Sequence, residues 1–172
     1  MNIWGIGPIL VLSAAVGLGL GRVMESYLDV HLGFSGPLLA LSTMTALALF
    51  LAGVYLWLSA AMRIRSGVKS GKLLTDGVYA RTRNPLYAAF VFFLLPALAL
   101  LLNNLAYLLS SVLMYAAFDQ YIEREENALL ETFGDEYRAY CARTPRLFPR
   151  LRAAKAPVTP APAAPVSNPG AN

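Results

Sequence analysis

Three long stretches of the 172-residue chain carry no Asp, Glu, Lys or Arg: Met1 to Gly21, Leu32 to Met62, and Pro85 to Phe118. A helix needs about 20 mainly apolar residues to cross a bilayer. The first stretch therefore predicts one crossing, and the second predicts one long, tilted crossing from about Pro37 to Met62. The third stretch is 34 residues long and would run roughly 50 Å as a single helix, well beyond a hydrocarbon core of about 30 Å. Asn103-Asn104 interrupts it near its middle. It predicts two short helices joined by a polar hairpin, with Pro96 kinking the first. The expected fold is an all-α polytopic membrane protein of about four transmembrane helices. The last two form a short helical hairpin, and cytoplasmic C-terminal helices follow.

Composition supports a membrane setting. The hydrophobic share is 57%, the charged share 14% and the mean hydropathy +0.53. Soluble domains hold about 45–50% apolar and about 25% charged residues. A signal peptide fits the first stretch poorly, because Met1-Asn2-Ile3-Trp4 is uncharged and no small-residue cleavage site precedes Arg22. A retained helix with Trp4 as an interfacial anchor is expected instead.

Basic residues set the orientation. Arg63, Arg65, Lys69, Lys72, Arg81 and Arg83 face a single acid, Asp76, between the second and third stretches, and seven more basic residues follow the last. The loop after the first span holds Arg22 with Glu25 and Asp29, and the hairpin is uncharged. The positive-inside rule puts both basic regions and both termini in the cytoplasm. The net charge of +4 is then a topology signal and needs no nucleic acid to explain it. A lone Cys141 makes no internal disulfide, and a lone His31 excludes a histidine-rich haem or di-metal site. The spans carry no ionisable Lys, Arg, Asp or Glu before Asp119, which disfavours an ion pump. Gly17-x-Gly19-x-Gly21 lies at the end of an apolar helix. Close helix packing explains it better than nucleotide binding does.

Two polar stretches hold the candidate chemistry. In the first, Arg81-Thr82-Arg83-Asn84-Pro85 reads as a helix start, with Asn84 as cap and Pro85 at the first helical position. A helix start beside guanidinium groups can hold a carboxylate or phosphate. In the second, Asp119 to Gly134, residues Ile122, Leu129, Leu130 and Phe133 fall at helical spacing and Gly134 suits a helix end. Glu123, Glu125 and Glu126 cannot all face one way on that helix. One or two of them can face the arginines, in a ligand site or in a plain Arg83–Glu salt bridge.

Taken together, Gly77-x-Tyr79-x-x-x-Arg83-Asn84-Pro85-x-Tyr87, a charge-free hairpin, Glu125-Glu126-x-x-Leu129-x-x-x-Phe133-Gly134-x-x-Tyr137-x-x-Tyr140 and Pro145-Arg146-x-x-Pro149 resemble the isoprenylcysteine carboxyl methyltransferase family. That family and the related phospholipid N-methyltransferases are integral membrane enzymes that use S-adenosylmethionine. The resemblance runs from about Leu73 to Pro149, together with the preceding long span. It implies a cofactor pocket shaped by Arg83, Asn84, Pro85, Tyr87, Glu125 and Glu126, with Tyr79 and Tyr137 as further candidates. It also implies a hydrophobic or lipid-like acceptor entering from the bilayer. Asn84 stands where the family usually has His, Val78 where Pro is common, and Ala80-Arg81 where Arg-Tyr is common. Asn cannot titrate near neutral pH, so no histidine base is available there.

The expected roles follow from the chemistry of such a cofactor. Arg83 takes its carboxylate, and Glu125 or Glu126 takes its ammonium or ribose hydroxyls. Tyr87, Tyr121 or Tyr137 flanks the adenine or the sulfonium, and Arg146 contacts a cofactor or substrate carboxylate. No catalytic base is assigned, and no metal site is expected. The chain divides into N-terminal transmembrane helices (1–62), a methyltransferase core (63–152) and a disordered Ala/Pro-rich tail (153–172), in a protein of the bacterial inner membrane. Two rival readings are an NADPH-dependent, sterol-reductase-like membrane enzyme and a non-catalytic assembly protein in which Arg83 and the glutamates merely pair.

Overall fold

A computed structural model describes residues 5–147, apart from the side chains of 66 and 68–70. Trp4, Pro149 and the tail of 153–172 lie outside the described residues. Within them, every regular element is helical. α1 spans Gly7–Tyr27, α2 Pro37–Ser70, α3 Pro85–Leu101 and α4 Leu109–Arg143. Short 3-10 turns, Gly77–Ala80 and Leu105–Leu108, precede α3 and α4. Proline sits in the first turn of α1, α2 and α3, where its missing N–H costs no helix bond. α1 lies along α4, and α2 lies along α3.

α1 and residues Pro37–Arg65 of α2 are long and apolar enough to cross a membrane. Their outward faces are apolar as well: Leu12, Leu41, Met44, Leu51 and Tyr55 are all strongly exposed. Left in water, such faces would forgo about 25 cal/mol for each Å² of apolar surface; lipid removes that cost. α2 runs past the expected limit at Met62 and stops at Gly71, in the left-handed region at φ +62°.

Two further details differ from the sequence expectation. Pro96 does not produce a simple kink in α3. The five residues before Leu95, Phe90–Leu94, wind as a π-helix, with the Leu95 N–H donating to the Phe90 carbonyl. The wider turn makes room just before a residue that has no N–H and clashes with the preceding turn. Secondly, the last apolar stretch and the first C-terminal helix are one continuous element. The charges that begin at Asp119 end the apolar stretch but not α4, since no Gly or Pro occurs between 109 and 133.

The glycine pattern of α1 is a packing device. A Cβ at Gly17 would stand 2.4 Å from the Cα of Ser110, and one at Gly21 would stand 3.0 Å from the Tyr107 ring, whereas Gly19 has nothing within 4 Å among the described residues. Positions four apart share a helix face, so Gly17 meets the start of α4 and Gly21 the 3-10 turn just before it, while Gly19 turns away.

At the hairpin end, Asn103 and Asn104 bind the α1–α2 loop. Asn103 Oδ1 accepts from Phe34 N (2.9 Å) and its Nδ2 donates to Phe34 O (3.1 Å). Buried Asn104 accepts from Leu32 N (3.3 Å) and Ala106 N (3.0 Å), and donates to Val30 O (3.2 Å). Asn104→Ala removes three hydrogen bonds and leaves backbone groups without partners, so it should cost about 2 kcal/mol. Thermal unfolding in detergent checks this; a midpoint equal to wild type would show that the two loops are not tied by this side chain.

Candidate functional site

The opposite, basic end collects the polar residues singled out above. One hydrophobic cluster supports it: Ile6 just before α1 and Leu10 within it, Ala88, Val91 and Leu95 of α3, Met114, Phe118 and Ile122 of α4, and Leu147. Gly134, at φ +52° and ψ −123°, breaks α4, as expected of a glycine at a helix end. Residues 135–143 thereby return toward the start of α3. Tyr140 OH then donates to Tyr79 O (2.7 Å).

A strap of chain completes this end. Arg83 N donates to Pro145 O (2.9 Å), and Thr82 Oγ1 and Asn84 Nδ2 both donate to Arg146 O (3.0 Å each). The expected side-chain cap at Asn84 is absent, a correction with a local cause: its amide is engaged with the strap, while Pro85 still occupies the first helical position. Pro85 itself is buried.

Glu126 is the centre of the cluster. Arg146 donates to its Oε2 through Nε (3.0 Å) and NH2 (2.8 Å). Arg83 NH1 stands 2.8 Å from its Oε1, out of line for a hydrogen bond. Arg83 and Glu126 side chains are each 12% exposed, against 39% for Arg146. Arg83 NH1 also lies 2.7 Å from Cys141 Sγ. Among the described residues, Arg83 Nε and Glu126 Oε1 are buried without hydrogen-bond partners, a state that buried polar groups rarely keep. The hydrogen bond to Glu126 is the main cause that raises the Arg146 pKa further.

The phenols of this end stay neutral. Burial pushes Tyr79 up to about 12. Burial first, and the charge of Glu126 second, raise Tyr137; burial is the main cause for Tyr140. They can offer hydrogen bonds and ring faces, but no base at neutral pH.

Glu125 and Tyr87 sit apart from this cluster. Tyr87 OH donates to Glu125 Oε1 (3.1 Å), and Ile6 N donates to the same oxygen (2.7 Å). The Tyr121 ring is covered by the Arg124 guanidinium, 5.2 Å from its centroid, and Glu123 is 70% exposed. The structure thus brings Arg83, Asn84, Glu126 and Arg146 together, with the charge of Glu126 felt at Tyr137. It leaves Tyr121 outside and joins Tyr87 to Glu125 at one side. Cys141 and Thr82 were not anticipated. The spacing of Cys141 four residues after Tyr137 places it on the same helix face and could have signalled it.

Beside the strap, α2, the 77–82 turn and α3 enclose an open cleft of about 1070 Å³. Leu56, Ala88, Phe92 and Leu147 give it apolar walls, and Arg63 and Arg81 stand among its lining residues. Arg63 pairs with Asp76 and holds that carboxyl below its ordinary value. The pair therefore favours the charged carboxylate, and its contribution is lost as pH falls through the lowered value. Arg81, which is exposed, has no carboxylate within ion-pair distance among the described residues.

A family model, isoprenylcysteine carboxyl methyltransferase, matches residues 31–131. The chain is 37% identical over 83 residues to the protein-S-isoprenylcysteine O-methyltransferase of Schizosaccharomyces pombe, covering 48% of this chain and 35% of that protein. It is 30% identical over 83 residues to the enzyme of the same name from Homo sapiens, covering 48% and 29%. It is also 33% identical over 133 residues to the cobalt-zinc-cadmium resistance protein CzcN of Cupriavidus metallidurans, covering 75% and 59%. The chain spans about a third of the length of the methyltransferases it matches. With the family model matching more than half of its residues, from the loop before α2 to the middle of α4, the chain belongs to the isoprenylcysteine carboxyl methyltransferase family.

Proposed function

We propose that the protein is an integral membrane methyltransferase that uses S-adenosylmethionine and a hydrophobic, lipid-like acceptor. The observation that carries this reading is the buried Arg83–Glu126 contact, whose Nε and Oε1 have no hydrogen-bond partners among the described residues, next to a largely apolar cleft. The residues suit an amino-acid-bearing cofactor: Arg83 Nε is available to a carboxylate, Glu126 to an ammonium, and Tyr137 offers a ring face. When bound, S-adenosylmethionine supplies an electrophilic methyl on a sulfonium sulfur, which leaves as a neutral thioether and needs no acid. The chain's own part is to hold, orient and exclude water, which can supply several kcal/mol of rate. The neutral phenols of Tyr79, Tyr137 and Tyr140 are consistent with that division. The half-open cleft beside α2 and α3 is read as the acceptor's place, its apolar part among Leu56, Phe92 and Leu147.

The same reading makes α3 and the first part of α4 a third and fourth crossing. α3 has 17 residues, about 25 Å of helix, so a thinned or locally adapted bilayer is implied. The start of α1 meets α4 at the basic end, which the positive-inside rule assigns to the cytoplasm, as in a bacterial inner membrane.

S-adenosylmethionine binding to the purified chain in nanodiscs, with NADPH as comparison ligand, tests the proposal. Saturable binding of S-adenosylmethionine, with none of NADPH, is expected. Binding of NADPH alone would replace this reading by a reductase.

A further inference from the structure

We propose that the two adjacent glutamates divide the work: Glu125 is a positioning residue that fastens the first turn of α1 to Tyr87, and Glu126 alone receives the cofactor. The second half rests on the methyltransferase reading; the first does not. A helix start has backbone N–H groups without partners and a partial positive charge. α1 begins with no side-chain cap and no acidic residue in its first turn. The missing acceptor comes from α4, 119 residues away in sequence: Ile6 N–H donates to Glu125 Oε1 at 2.7 Å. Tyr87 OH reaches both oxygens of the same carboxylate, at 3.1 and 3.4 Å. Ile6 is buried in the cluster that supports the site, and the Tyr87 ring packs against Phe118 at 5.7 Å. One carboxylate therefore joins α1, α3 and α4.

The surroundings of the two acids separate their chemistry. Glu125 receives neutral donors from the protein, whereas Glu126 faces two guanidinium groups. An ammonium arriving at Glu125 would have to displace the Ile6 N–H and leave the start of α1 without its acceptor. At Glu126 it would displace only Arg146, the most exposed member of the cluster, whose backbone stays held by Thr82 and Asn84. α1 lies outside the residues that the family model matches. The tie through Glu125 is thus an attachment between the matched core and a helix beyond it.

The test pairs two readouts on the full chain in nanodiscs: amide hydrogen exchange in the first turn of α1, and S-adenosylmethionine binding. Glu125→Leu should speed exchange in that turn about tenfold, the loss of one hydrogen bond. Glu125→Gln keeps an acceptor oxygen, so it should restore slow exchange and bind cofactor within about threefold of wild type. Glu126→Gln should leave exchange in that turn unchanged and lose binding. If Glu125→Leu does not fold, Glu125→Asp, one methylene shorter, should give intermediate exchange. Unchanged exchange in Glu125→Leu, or in Glu125→Asp where the Leu variant does not fold, overturns the anchor, and loss of binding in Glu125→Gln equal to that in Glu126→Gln overturns the division. Absence of binding in wild type overturns the methyltransferase reading and the role of Glu126, while the exchange contrast still decides Glu125.

Discussion

Exchanging the two charges, Arg83→Glu together with Glu126→Arg, should restore thermal stability lost in either single variant but leave S-adenosylmethionine binding at least about 100-fold weaker, a loss of about 2.7 kcal/mol. Either single reversal places like charges against each other in a pair whose side chains are 12% exposed, and breaking such a pair costs about 3–5 kcal/mol. The double variant pairs again across 83 and 126, while Arg146, the most exposed member of the cluster, is left to turn its guanidinium toward solvent. Its carboxylate now sits on the start of α3 and its guanidinium on α4, the reverse of what a ligand with a fixed ammonium and carboxylate requires. A purely structural salt bridge predicts recovery of both stability and function. Thermal unfolding and isothermal titration on the four proteins separate the two cases. Recovery of binding in the double variant would remove Arg83 and Glu126 from the ligand site.

Gly17→Leu should be the most disruptive single change in α1. A Cβ there already stands 2.4 Å from the Cα and 2.6 Å from the N of Ser110, both backbone atoms that no rotamer change can move. Accommodating Leu requires α1 to shift away from α4, at a cost of about 3 kcal/mol. Gly19→Ala, with nothing within 4 Å among the described residues, should be neutral or slightly stabilising, because Ala is the better helix former. Unfolding midpoints in one detergent check the contrast. Equal midpoints for the two variants would show that the helices do not meet at Gly17. Displacing α1 also pulls Ile6 from Glu125, so Gly17→Leu should disturb the basic end from far along the same helix.

Much of the helical layout was readable from residue order, because lipid imposes length and composition on a span far more tightly than water does. The charge-free stretches marked the helices, Pro85 marked the start of α3, and the i, i+4 spacing of Gly17 and Gly21 marked a packing face. The site was legible as a set of positions and not as a set of contacts. Adjacent residues on a helix point about 100° apart, so Glu125 and Glu126 had to diverge. Which one would meet α1 and which the arginines depended on how three helices pack. The role of Asn84 was misread for a similar reason: a local rule assigned its side chain to its own helix, and a segment 62 residues away claimed it instead. Pro96 signalled a disturbance correctly but not its form, because a π turn and a kink answer the same steric conflict.

The knot formed by Asn103 and Asn104 bears on the order in which the chain assembles. The loop at 30–34 is complete soon after α2 is made, yet its amides at Leu32 and Phe34 and its carbonyls at Val30 and Phe34 find their partners only on residues about 70 positions later. Such contacts carry a large loop-closure cost that local helix formation does not. The α1–α2 loop therefore has these partners only once residues 103 and 104 have entered beside it. Because α1 packs on α4 and α2 on α3, bringing these distant segments together is expected to be slower than winding any single helix, and variants at Asn104 should lower the yield of inserted protein more than their effect on the finished fold suggests.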